Sequence, residues 1–156
     1  MKTETKEIAY KLLKISSEAF RDNEMIPSKY TCDGINVSPP LSIELLPPQA
    51  KSLAIIADDP DDPKGTWVHW VAWNIPFTHH LAENTVHGIQ GKNDFGKYGY
   101  GGPCPPSGIH RYFFKIYALD TLLDLPENTV KAGLEKAMSD HIIAFGELVG
   151  LYASKK

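Results

Sequence analysis

Twelve prolines are spread along the 156 residues, and most of them stand between short apolar runs. Proline fixes φ and removes a backbone donor, so it is kept out of helix interiors and central strands. A chain punctuated in this way builds many short strands. SLAIIADD (52–59) lies between PPQAK and a DPDDP turn, and WVHWVAWNIP (67–76) is aromatic and β-branched and stops at Pro76. IHRYFFKIYALD (109–120) follows a Pro/Gly-rich segment, and LLKISSEAF (12–20) reads as a first strand. Residues 26–45 read as a long irregular loop running into a strand near Leu41–Leu45, and the Gly-rich stretch 79–102 as mostly loop.

The period changes once. Val130, Leu134, Ala137 and Met138 fall on one helical face, which predicts a helix over 127–139 with Asn128 as N-cap. HIIAFGELVGLYA (141–153) then reads as a closing strand or a short helix-to-strand segment. The strands do not alternate with helices. The expected fold is therefore mostly β, an antiparallel sheet or sandwich with small peripheral helices. Residues 1–12 are assigned to an N-terminal extension, helical or frayed over its first ten residues, and 13–156 to a single domain.

The net charge of −3 argues against bulk binding to nucleic acid or an anionic membrane. No apolar run reaches the roughly 18 residues needed to span a bilayer. The opening MKTETKEIAYKLLK has no continuous apolar core, so it is not expected to be a secretory signal, and the expected compartment is the cytoplasm. There Cys32 and Cys104 are expected to be free thiols.

Polar residues then stand out against the strands. Asp58, Asp59, Asp61 and Asp62 lie within five positions and repel one another unless something positive answers them, with Lys64 nearby. His69 lies in an aromatic strand; on a period of two it shares a face with Trp67, Val71 and Trp73, opposite Val68, Trp70, Ala72 and Asn74. Such a histidine is ordinarily a satisfied core residue, but a hairpin at DPDDP would bring it to the carboxylates. His110 and Tyr112 share a strand face, and Arg111 points the other way, as a structural ion-pair partner would. Before them, GPCPPSG (102–108) packs three prolines and two glycines into seven positions, as a rigid pocket rim would.

Three chemistries could use these groups. A metal site would need three or four ligands, and no HxH or HxxxH spacing provides them. A hydrolase would need a nucleophile, and there is no GxSxG; Ser107 has no evident base. A small anion or zwitterion would be met by His and Tyr donors, by a carboxylate for an attached amine, and by a shallow nest of N–H groups at Gly101, Gly102 and Cys104.

DPDDP, VHW, GPCPPSG and HRY, in that order, closely resemble the phosphatidylethanolamine-binding protein family, which includes Raf kinase inhibitor protein and the plant flowering regulators. YTCDGINVSPPLSI and the ELVGLY ending look more like its bacterial and archaeal YbhB/YbcL-like branch. The resemblance runs from about Leu13 to Tyr152. It implies a two-sheet antiparallel Greek-key β-sandwich with a small anion pocket at one end. Carried over by position, the ligand-binding residues are Asp59, Asp61, His69, Gly102, Pro103, His110 and Tyr112. The resemblance also implies a cis peptide near these turns, for which Asp62–Pro63 is the candidate. The expectation is a non-enzymatic protein without cofactor that takes phosphate, phosphorylated groups or a phosphoethanolamine-like head group. The alternative is an interaction module that inhibits kinases or proteases. A homodimer is compatible with either. Cys104 and the Pro-Pro pair depart from the animal members, which makes Cys104 a candidate exposed thiol at the rim.

Overall fold

A computed structural model describes residues 11–154; the reading of residues 1–10 as a helical or frayed extension lies outside them. Ten strands and one α-helix make up its regular structure, with a short 3-10 turn at Ser28–Tyr30. In chain order the strands are β1 (Lys11–Leu12), β2 (Lys14–Ser16), β3 (Glu24–Met25), β4 (Leu41–Glu44) and β5 (Ser52–Asp59). β6 (Trp67–Ile75), β7 (His80–Leu81), β8 (Ile89–Gln90) and β9 (Ile109–Leu119) follow, then α1 (Lys131–Met138) and β10 (Ile142–Ala153). The large sheet runs β1-β10-β9-β5-β6-β8, with β3 also on β10, and the small sheet runs β2-β4-β7. Pairing is antiparallel except where β1 and β3 meet β10.

The first apolar run does not form one strand. It changes sheets at Leu13, between β1 on the large sheet and β2 on the small one. Leu13 N–H donates to the Phe145 carbonyl at 2.8 Å.

β5 explains why SLAIIA is continuously apolar: both of its faces are covered. Leu53, Ile55 and Ala57 meet Leu41, Ile43 and Leu81 of the small sheet, while Ala54 and Ile56 pack with Leu134 and Met138 of α1. β9 alternates instead, burying His110, Tyr112, Phe114, Ile116 and Ala118 on the small-sheet side. The helix is shorter than 127–139. Thr129 donates from both its N–H and its hydroxyl to the Pro126 carbonyl, so 126–129 closes as a turn. Val130 therefore takes the N-cap position with no side-chain bond, in place of Asn128, and is itself 48% exposed.

Candidate functional site: a cavity at one end of the large sheet

β5 and β6 form a hairpin at DPDDP, with Asp59 opposite Trp67, and β9 runs along the other side of β5 with Phe113 opposite Asp58. Asp59, Trp67, His69, His110 and Tyr112 are thereby gathered at one end of three adjacent strands. The alternation expected for β6 breaks there. Asp58 pairs with Val68 and Ala57 with Trp70, so His69 is the extra residue of a β-bulge. The bulge turns His69 to the same side as Trp67 and Trp70, while Val71 and Trp73 face α1. Period two placed Trp67 with His69 correctly, but not Val71, Trp73 or Trp70.

A cavity of about 310 Å³ opens there, lined by Asp59, Trp67, His69, Phe95 and Tyr112, with Asp62, Pro63 and Lys64 on one rim and Cys104, Pro105 and Pro106 as a wall. Its size is at the lower end for ligand sites. The His69 ring lies edge-on to Tyr112 at 5.2 Å and to Phe95 at 5.3 Å. His69 Nδ1 donates to the Gly101 carbonyl at 2.7 Å. A carbonyl only accepts, so the proton sits on Nδ1 and Nε2 is left to the cavity. Burial lowers the pKa of His69, against the raising effect of Gly101 and Asp59.

His110 sits behind this layer. Its Nδ1 donates to Asp59 Oδ2 at 2.7 Å, both side chains are buried, and its ring stacks on Tyr112 at 6.4 Å. Asp59 Oδ1 accepts the Asp61 N–H at 2.7 Å, so both carboxylate oxygens are held. The Tyr112 hydroxyl is buried and has no hydrogen-bond partner within 3.5 Å, with the Asp59 carboxylate just beyond as a weak one. Burial, and then the nearby Asp59 charge, push its pKa up, so it stays a neutral donor.

The remaining expected site residues fall elsewhere. Asp61 turns away and accepts from Arg111 Nε at 2.9 Å, Nη2 at 2.8 Å and the Arg111 N–H at 2.9 Å. Those bonds hold its pKa down to about 2. Asp58 points through the sheet to Lys115 at 3.2 Å and Lys131 at 2.7 Å. Three of the four clustered carboxylates thus have separate partners, and Lys64 answers only Asp62, through its backbone N–H at 3.0 Å. Gly102 and Pro103 support the wall from behind: Gly102 N–H donates to Asn36 Oδ1 at 2.8 Å, and Pro103 accepts from Cys32 N–H at 3.1 Å. Gly101 N–H is taken by the His69 carbonyl at 2.9 Å. The proposed nest of N–H groups is therefore already satisfied at Gly101 and Gly102.

Two expectations are corrected outright. Cys32 and Cys104 form a disulfide and neither is a free thiol. The loops of residues 31–36 and 101–106 lie side by side, a proximity that a separation of 72 positions does not reveal. The Asp62–Pro63 bond is trans, as are all peptide bonds among the described residues. Sequence reasoning also passed over Phe95 as a lining residue; an aromatic in a Gly-rich loop, NDFGKYG, was the available signal.

The class defined by this fold and cavity is a two-sheet β protein with a pocket at one sheet end that holds a few buried polar groups. The pattern of the phosphatidylethanolamine-binding protein family matches residues 16–153, and the chain belongs to that family. A UPF0098 protein of Pyrococcus abyssi is 54% identical, over 92% of this chain and 86% of its own length. One from Methanothermobacter thermautotrophicus is 50% identical, over 90% and 98%. Among solved structures, a phosphatidylethanolamine-binding protein homolog from Chlamydia trachomatis superposes with a TM-score of 0.88 at 42% identity, covering 92% of this chain and 99% of that one. YbcL of E. coli, described as a member of the mammalian family, superposes at 0.84 with 31% identity over 92% and 99%. A carboxypeptidase Y inhibitor in complex with its cognate proteinase shares the fold at 0.53 and 15% identity, over 92% of this chain and 83% of that one. Among the described residues no helix is long and apolar enough to cross a membrane.

Proposed function

We propose that this protein is a non-enzymatic binder of phosphate-bearing groups, either phosphate itself, phosphorylated groups or a phosphoethanolamine-like head group. The observation that carries the reading is the Tyr112 hydroxyl, a buried donor with no hydrogen bond shorter than 3.5 Å, beside a cavity that His69 also lines. An unpaired buried hydroxyl is costly, and a ligand oxygen relieves it. Protonated His69 adds a second donor through Nε2. Asp59, held by His110, leaves negative character for an attached amine.

The test is an NMR titration of the six histidine rings with inorganic phosphate and with phosphoethanolamine. Saturable shifts at His69 and His110, with the other four silent, are expected. No shift at either ring overturns the reading.

The second reading is an inhibitor module for a kinase or protease, and its support is the fold shared with an inhibitor seen on its proteinase. Loss of partner capture in His110→Ala would tie that activity to the pocket; capture independent of His110 would place it on another surface. The cytoplasm is the proposed compartment, where the Cys32–Cys104 crosslink would meet small thiols. A homodimer is the proposed assembly, on the resemblance to the YbhB/YbcL-like branch, and light scattering tests it.

A further inference from the structure

The wall formed by Cys104, Pro105 and Pro106 is attached in an unusual way. The segment just before it is well secured. Tyr100 donates to the Tyr30 carbonyl at 2.6 Å, Gly102 to Asn36, and Cys32 to Pro103. Gly102 fits so closely there that an added Cβ would run into the Tyr30 carbonyl and Asn36 Oδ1. β9 takes over at Ile109. Between these anchors, residues 104–107 make no hydrogen bond to the rest of the described chain, and Gly108 already meets the end of β10. Pro105 and Pro106 have no N–H to give. The tie that holds this stretch, other than packing, is the Cys32–Cys104 bond. Both cysteines are exposed, so a thiol can reach the bond from solvent. Cys104 also lines the main cavity, and both cysteines line a second cavity of about 280 Å³ on the other side of the wall, with Lys97, Asn36 and Phe95.

We propose that the Cys32–Cys104 disulfide is a thiol-exchange site that latches the ligand cavity shut on one side, so that ligand affinity follows the redox state of the surrounding thiols. A small thiolate attacks one sulfur, forming a mixed disulfide, and the other cysteine leaves as a thiolate. A second small thiol then displaces the first as a symmetric disulfide. The protein disulfide gains two electrons, two small thiols are oxidised, and both cysteines end as thiols. Exposed disulfides are the ones that undergo this exchange readily. Once the bond opens, 104–107 lose their one crosslink, and the Pro105–Pro106 wall has to be ordered by the ligand itself.

The ligand consequence rests on the phosphate-binding reading; the chemistry of the latch does not. The experiment treats the folded protein with millimolar glutathione. Native mass spectrometry then counts thiols, the Ser107 and Gly108 amide signals report the wall, and His69 shifts report inorganic phosphate affinity. Expected are two new thiols in folded protein, displaced Ser107 and Gly108 signals, and phosphate affinity about tenfold weaker, restored on reoxidation. The paired variants Cys32→Ser and Cys104→Ser should match the reduced state. A disulfide that resists glutathione in the folded state overturns the proposal, as does reduction that leaves phosphate affinity unchanged. If neither form binds phosphate, the phosphate reading fails by itself. The Ser107 and Gly108 signals then decide the latch: displacement supports it, and constancy overturns it.

Discussion

His69 is the residue on which the pocket's pH behaviour turns. Burial lowers its pKa, so at neutral pH its Nε2 is an acceptor and not a donor. An anion that needs the imidazolium must bring a proton with it. Sulfate, whose charge is constant over this range, is therefore expected to bind best in acid and to weaken as pH rises through the lowered His69 pKa, below the usual value near ~6.5. His69→Gln should flatten that profile, and a flat profile from pH 5.5 to 8.5 in the unmodified protein would contradict the mechanism. Folding stability runs the opposite way from anion affinity. The unfolded chain takes up this proton at higher pH than the folded one, so His69 costs stability as pH falls below its unfolded pKa.

Asp61 also loses stability in acid, for a different reason and at lower pH. Its pKa, held at about 2 by Arg111, means that the ion pair contributes above the unfolded value of 3.8 and is lost as pH falls toward 2. Because Arg111 is half exposed, Asp61→Asn is expected to cost only about 1 kcal/mol in denaturant unfolding. Phosphate affinity should stay within about twofold of the unmodified protein, because Asp61 points away from the cavity. A tenfold loss would return Asp61 to the ligand-binding set.

Among the elements, α1 is tied to the site strand from behind. Lys131, its first residue, reaches Asp58 through the sheet, and Lys115 completes the group. Asp58 is buried, so removing one of its two cations leaves charge poorly compensated. Lys131→Ala is expected to cost about 1–3 kcal/mol, with hydrogen exchange in α1 faster than in the rest of the molecule. Uniformly faster exchange would mean that the contact belongs to the global core. The β6 bulge is the other feature at this scale. It was not legible because an extra residue in a strand leaves no mark on composition or period. Only pairing against β5 reveals that His69 and Trp70 share a side.

For the whole molecule, the disulfide closes a loop across 72 positions. Restricting the unfolded chain over that distance is worth about 2–4 kcal/mol, so the Cys32→Ser, Cys104→Ser pair should lower the denaturant midpoint accordingly. An unchanged midpoint would show that the unfolded chain already holds these segments close. Most of the architecture was legible from sequence at this scale. β5, β6, β9 and β10 carry local signals, namely β-branched and aromatic runs ended by turn residues, and their burial follows from those runs. The helix was legible from its apolar face, and its start was misplaced because the Pro126 turn captured Thr129 first.

The sequence by itself determined that this chain is a small β protein and that His110 and Tyr112 share one strand face; the hairpin at DPDDP was one possibility, and His69 joined the pair only through the family resemblance. Local periodicity and turn chemistry act over a few residues and are written in the order of the chain. Tertiary structure decided which carboxylate meets which donor, and it left Asp59 with His110 and took Asp61 to Arg111. It also joined Cys32 to Cys104. Those outcomes depend on which segments become neighbours across the sheets, and side-chain pairing over such distances is set by packing and not by spacing.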